Sequence, residues 1–192
     1  MDNNPFVGTP LDYDEKIGEN GCFYLNNILL EVKTTRAGTV KIKEGTTLIA
    51  AYAFRNCTEI ERVEIPYGVT AIPYEGFYNC SSLKEVLFPD SITEIGKYAF
   101  EKCISLKEIT IPKGVQQISY AAFKECTMLE HVNLPEGLEV IESFAFYKNT
   151  SLESITIPAS VKTIRSYAFG DCTALKDVIY LGVIEDISKS AF

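Results

Sequence analysis

Residues 106–128 read LKEITIPKGVQQISYAAFKECTM, and residues 129–151, LEHVNLPEGLEVIESFAFYKNTS, keep the same pattern position for position. Working outward in both directions, the 23-residue interval holds without a slip. Phe54, Phe77, Phe100, Phe123, Phe146, Phe169 and Phe192 form one series, and Ile49, Ile72, Ile95, Ile118, Ile141, Ile164 and Ile187 another. Ile60, Leu83, Leu106, Leu129, Leu152 and Leu175 make a third, Val40, Val63, Val86, Ile109, Val132, Ile155 and Val178 a fourth. Pro66, Pro89, Pro112, Pro135 and Pro158 complete the unit, L-x-x-V-x-I-P-x-G-V-x-x-I-x-x-x-A-F-x-x-C-x-x. Several in-phase series of this length mark a repeat architecture.

The unit also carries geometry. V-x-I has the two-residue period of a strand with one buried face. Proline then ends the ladder for want of an N–H, and Gly68, Ser91, Gly114, Gly137 and Ser160 supply a turn. V-x-x-I returns as a short extended segment, and A-F-x-x-C-x-x-L is too short for a full helix and predicts a tight helical turn. Each unit is thus expected to be one coil of a right-handed solenoid, mainly β, with parallel strands stacked about 4.8 Å apart. A lone coil has no neighbour to bury its apolar face against, so the coils must stack.

The repeat resembles the BspA-type leucine-rich repeat over residues 40–192, in a frame of about six and a half coils. Gly76 before Phe77, Asn149 in the Cys place and Leu181 in the Pro place are the departures. The resemblance implies a curved leucine-rich-repeat coil with a parallel concave sheet, and interaction rather than catalysis. It also implies an extracellular or cell-surface setting, in which adhesion to a protein partner is the usual role.

The ends read differently. Residues 1–20 contain no basic segment followed by an apolar one, so no secretory signal peptide is expected there, and they are read as a poorly ordered leader. Residues 21–39 predict an N-terminal capping hairpin around Asn26-Asn27, covering the first coil. In that first coil Lys43 takes the Pro place and Thr34 the Cys place. Residues 40–192 are the leucine-rich repeats. The sequence stops at Phe192, inside a unit, which suggests a fragment of a longer array or self-association through an uncapped C-terminal end.

Composition narrows the function classes. The 192 residues are 46% hydrophobic, enough for a packed core and too much for a disordered chain. No apolar run has the length of a membrane span, so no membrane insertion is expected. The net charge of −8 has the wrong sign for a general nucleic-acid binder. One histidine leaves little scope for histidine-based catalysis or metal binding, and no nucleophile elbow, phosphate loop or paired-carboxylate spacing occurs. We therefore expect no enzyme, no cofactor and no metal.

Six cysteines invite a disulfide reading. Cys57, Cys80, Cys103, Cys126 and Cys172, however, occupy one place in the unit, and Cys22 lies in the cap. Neighbouring members of that ladder have Cα atoms about 5 Å apart but parallel Cβ vectors, whereas a disulfide needs Cβ atoms near 3.8 Å. No disulfides are expected, and buried thiols bonded to nearby backbone are. The tripeptides starting at Asn56, Asn79 and Asn149 match the glycosylation acceptor pattern, which the repeat itself generates.

A partner surface is expected where the repeat lets residues vary, on the outward positions flanking the central Val or Ile. One row is Thr39, Arg62, Glu85, Glu108, His131, Ser154 and Asp177; the other is Lys41, Glu64, Leu87, Thr110, Asn133, Thr156 and Ile179. This reads as the concave face of a protein–protein interaction module, partner unspecified, the alternative being a spacer array without a ligand site. A second aromatic cluster, Tyr52, Tyr74, Tyr98, Tyr120, Phe144 and Tyr167, precedes the phenylalanine series and is read first as packing between coils.

Overall fold

A computed structural model describes residues 21–33 and 37–192. The leader and Thr34 lie outside the described residues. An N-terminal hairpin, β1 (Cys22–Leu25) and β2 (Ile28–Val32), precedes seven coils. Each coil gives one longer and one shorter strand: β3 (Gly38–Lys41) and β4 (Leu48–Ile49), β5 (Ile60–Glu64) and β6 (Ala71–Ile72), β7 (Glu85–Leu87) and β8 (Glu94–Ile95). The series continues with β9 (Glu108–Thr110) and β10 (Gln117–Ile118), β11 (His131–Asn133) and β12 (Val140–Ile141), β13 (Ser154–Ile157) and β14 (Thr163–Ile164), β15 (Asp177–Tyr180) and β16 (Asp186–Ile187).

Pairing between coils is parallel and keeps the 23-residue register. Val63 lies beside Val86, Ile109 beside Val132 and Ile155 beside Val178 on the longer strands. Ile118, Ile141, Ile164 and Ile187 align in succession on the shorter ones. The architecture is the parallel solenoid that the periodicity predicts.

One detail departs from expectation: among the described residues there is no helix, and the A-F-x-x-C segment is a chain of turns. The reason lies in the backbone. Two sites per coil, two residues before and two after the phenylalanine, hold non-glycine residues in the left-handed region, as at Tyr52 (φ 67°) and Asn56 (φ 62°), or Phe144 (φ 60°) and Lys148 (φ 59°). Such residues cannot continue a right-handed helix, and each costs roughly 1–2 kcal/mol. Hydrogen bonds offset the cost by alternating. The amides of Ala53, Arg55 and Cys57 close local turns, while those of Tyr52, Phe54 and Asn56 donate to Tyr74, Gly76 and Tyr78 of the next coil. The phenylalanine rung repeats this bond down the stack, from Phe77 to Ala99 (2.7 Å), Phe100 to Ala122 (2.8 Å) and Phe123 to Ala145 (2.8 Å). The turns therefore form a third line of bonds between coils.

The core is a set of columns rather than one cluster of unlike side chains. The buried phenylalanines stack with parallel, offset rings, with centroids 5.0 Å apart for Phe77–Phe100 and 5.2 Å for Phe100–Phe123. Such pairs add about 0.5–1.5 kcal/mol beyond the area they bury. Translation by one coil keeps identical rings parallel, and these two pairs deviate by only 5° and 0°. The hairpin closes the N-terminal end through β2, whose Ile28 and Leu29 pair with Leu48 and Ile49 of the shorter ladder. The Val32 amide reaches the Ala53 carbonyl (2.7 Å), extending the turn ladder too.

Close coil contact fixes one glycine. A Cβ on Gly96 would lie 2.8 Å from the Pro73 carbonyl carbon and 2.9 Å from both the Ile72 oxygen and the Tyr74 nitrogen, all backbone. Gly96→Ala should lower the unfolding free energy by roughly 1–3 kcal/mol, as overpacking does. Urea unfolding checks this, and an unchanged midpoint would mean the coils are less closely seated than described.

Candidate interaction surface

The outward rows of the longer strands emerge as the sequence places them. Thr39, Arg62 and Glu85 are neighbours in register, as are Lys41, Glu64 and Leu87. Glu108 lies beside His131 and Thr110 beside Asn133; Ser154 pairs with Asp177 and Thr156 with Ile179. Arg62 and Glu64 are partly exposed and the other twelve exposed. The parallel ladder thus turns residues 23 apart in sequence into side-by-side contacts.

Electrostatics differ along this face. Toward the N-terminal end Arg62 Nη1 meets Glu85 Oε2 at 2.6 Å, Arg62 Nε lies 3.5 Å from Glu64 Oε1, and Lys41 Nζ lies 3.6 Å from Glu64 Oε2. These exposed pairs are worth little individually, but they neutralise that region. Farther along, Asn133 donates to the Thr110 hydroxyl (3.1 Å) beside the exposed Glu108 and His131.

A groove runs along the strand ends, where Glu85, Leu87, Phe88, Glu108, Thr110 and Lys113 line an open cavity of about 550 Å³. Phe88 is the member that the sequence pattern missed. The position before proline reads as buried, and Ile42, Ile65, Ile111 and Ile157 are buried there. Phe88 and Leu134 are only half-buried, and Tyr180 is exposed at 42%. A larger ring in an isoleucine's place was the available signal: Phe88 turns partly outward, edge-on to Phe100 at 6.0 Å.

The cysteines have a structural role. All six are free and buried. The thiols of Cys80, Cys103 and Cys126 donate to the carbonyls of Phe54 (3.0 Å), Phe77 (3.1 Å) and Phe100 (3.1 Å), and Cys172 to that of Phe146 (3.1 Å). Cys57 uses the Val32 carbonyl of the cap (3.3 Å). Burial is the first cause that pushes these thiols up, Cys57 to about 12 and Cys172 to about 11, with Cys103 well above its ordinary value. A thiol that remains protonated and enclosed is a poor nucleophile. A maleimide at neutral pH should label none of the six in the folded protein and all six in denaturant; rapid labelling of the native chain would contradict this.

Asn149 replaces the thiol within the ladder, fully buried, and its Oδ1 accepts the Cys126 amide (3.0 Å). Its acceptor tripeptide is therefore closed to modification in the folded chain, whereas Asn56 is exposed and Asn79 partly so, the two side chains bonded to each other (2.9 Å). Among the described residues, no group of three His, Cys, Asp or Glu side chains could hold a metal ion, and no helix is long and apolar enough to cross a membrane.

Stacked coils with a repeated core and a variable outward strand face define a leucine-rich repeat solenoid. The chain belongs to the BspA-type leucine-rich repeat family, whose profile matches residues 19–135 and 93–192 in six copies. It is similar in structure to a leucine-rich repeat protein of T. pallidum, with 28% identity and a TM-score of 0.76 over 83% of this chain and 77% of that one. A leucine-rich repeat protein from Bacteroides ovatus aligns at 30% identity and a TM-score of 0.71 over 84% of this chain and 49% of that one. One from Eubacterium ventriosum aligns at 26% and 0.61, over 83% and 50%. The chain thus spans about half the length of these last two relatives. No curated protein matches it.

Proposed function

We propose that the chain is a non-catalytic binding module that presents the outward face of its longer strands to a protein partner at a cell surface or outside the cell. The observation that carries this reading is the separation of roles between positions. Inward residues repeat as Val, Ile, Leu and Phe, while the fourteen outward ones range over acids, bases, amides, hydroxyls and aliphatics. Packing constrains the first set and leaves the second free. Glu108, Thr110, His131 and Asn133, beside the Leu87–Phe88 groove, form the centre of the contact. Family membership supports the extracellular setting.

The test is binding of the chain to immobilised extracellular-matrix and serum proteins, compared with a variant carrying alanine at those four positions. At least a tenfold loss of affinity, with thermal unfolding unchanged, is expected. Equal binding by the variant would move the contact off this face.

A further inference from the structure

The aromatic stripe that precedes the phenylalanine column does not follow the repeat. Tyr52, Tyr98, Phe144 and Tyr167 stand two residues before their phenylalanines, but Tyr74 and Tyr120 stand three before. Residues of one site stack like the core rings, as Phe144 and Tyr167 do at 18° and 5.3 Å. Where the site alternates, the rings meet edge to face: Tyr52–Tyr74 at 78°, Tyr74–Tyr98 at 76°, Tyr98–Tyr120 at 69°. The sequence thus breaks its own register twice and still keeps one ring per coil, 5.3–5.7 Å from the next, along six coils. The stripe is not enclosed. Tyr74 and Tyr167 are 40% and 47% exposed and the other four rings are half-buried.

Its charge differs from the rest of the chain. Taking four residues on either side of each of the six phenylalanines that the stripe accompanies, these segments hold six basic and five acidic side chains, a net of +1 in a chain of net −8. Several of the acids are already neutralised: Glu75 meets Arg55 at 3.3 Å, and Glu101 and Glu125 meet Lys124 at 2.8 and 3.6 Å. Lys97, Lys102 and Lys148 have no carboxylate at salt-bridging distance among the described residues. Lys97 occupies the site that Tyr74 and Tyr120 hold in the neighbouring coils. Lys102 and Lys148 lie over the rings of Tyr78 and Tyr147, and Tyr147 touches both Phe144 and Tyr167. Unneutralised cations therefore edge a continuous aromatic track and outnumber Glu142 and Asp171, the acids of these segments that meet no basic side chain among the described residues.

We propose that this turn face binds a carboxylated polysaccharide laid along the solenoid axis, about one sugar to each coil. Aromatic rings offer apolar faces with a polar rim, suited to the C–H faces and hydroxyls of a pyranose. Lysine ammonium groups complement uronate carboxylates through charge-assisted hydrogen bonds. The spacing selects against a peptide. Side chains on one face of an extended peptide recur about every 6.6–6.8 Å and drift out of phase with the rings, whereas an extended β-1,4-linked pyranose chain advances by close to one coil per sugar. The inference concerns a different face from the strand rows and does not depend on them.

Titration calorimetry of the full chain with a β-1,4-linked mannuronate hexamer, beside its neutral counterpart mannohexaose and hexaglutamate, tests it. The mannuronate hexamer should bind, the corresponding dimer at least tenfold more weakly. Y74A with Y167A should cost tenfold or more without lowering Tm by more than a few degrees. K97A with K148A should weaken binding and flatten its salt dependence. Absence of hexamer binding, equal binding of mannohexaose or hexaglutamate, or indifference to the tyrosine substitutions would overturn the proposal. Should the tyrosine variant unfold, the lysine variant and the neutral hexamer decide in the same way.

Discussion

Phe100→Ala should lower the unfolding free energy by roughly 3–5 kcal/mol, the range for emptying a buried aromatic site. Phe100 is fully buried and lies in the middle of the column, stacked on Phe77 and Phe123 and edge-on to Phe88. Its loss therefore removes contacts to both neighbouring coils. Because stability in a solenoid is a sum of coil and interface contributions, damage to two adjacent interfaces should also reduce cooperativity. The denaturant transition is expected to move to a lower midpoint and to broaden. Phe192→Ala, at an exposed site with one stacking partner, should cost much less. Equal effects at the two positions would contradict a column of coupled rungs.

Alkaline pH should unfold the protein, with the thiol ladder as a principal cause. Burial raises the folded-state value of Cys57 from 9.0 to about 12 and that of Cys172 from 9.0 to about 11. The folded chain thus holds these protons more tightly than the unfolded chain. The resulting stability is fully present below pH 9 and is lost as pH rises through the folded values. A rise of the size at Cys57 corresponds to about 4 kcal/mol at full extent. Tyr74, raised to about 12 chiefly by its hydrogen bond with Glu75, acts in the same direction above pH 10. Tm should therefore be nearly flat from pH 7 to 8.5 and fall steeply between pH 9 and 11. The Cys57→Ala, Cys172→Ala double variant should be less stable at neutral pH, because the Val32 and Phe146 carbonyls each lose a thiol donor, yet show a shallower alkaline slope. An identical slope would remove the thiols from the explanation.

The column residues were legible in the sequence because burial allows few substitutes: Phe123 and Ile118 recur with their counterparts at every coil. The outward rows were legible by the same alternation, and with them the pairing of Arg62 with Glu85 and of Lys41 with Glu64, each 23 residues apart. The turn segment was not. Asn56, Asn79 and Asp171 suit left-handed backbone, but Tyr52, Lys102 and Phe144 adopt it as well. What holds them there is the amide bond to the next coil, a contact with no local signature. The small hydrogen-bonding residue at the cysteine site was readable, its carbonyl partner in the preceding coil was not. Phe88 escaped for a related reason: the pattern records a position as inward and does not register that a ring exceeds the space an isoleucine fills.

One register of 23 residues, shared by every coil, holds the structure together. Removing residues 85–107 joins Lys84 to Glu108, an outward strand residue like Glu85, and leaves every column intact but one rung shorter. Thermal unfolding of this deletion, followed by circular dichroism, is predicted to give one cooperative transition from a β-rich state. Removing 22 residues, 85–106, slips every later rung by one position and should abolish that transition. If the 22-residue deletion unfolds as cooperatively and at the same temperature as the 23-residue one, the coils are not held by a common register.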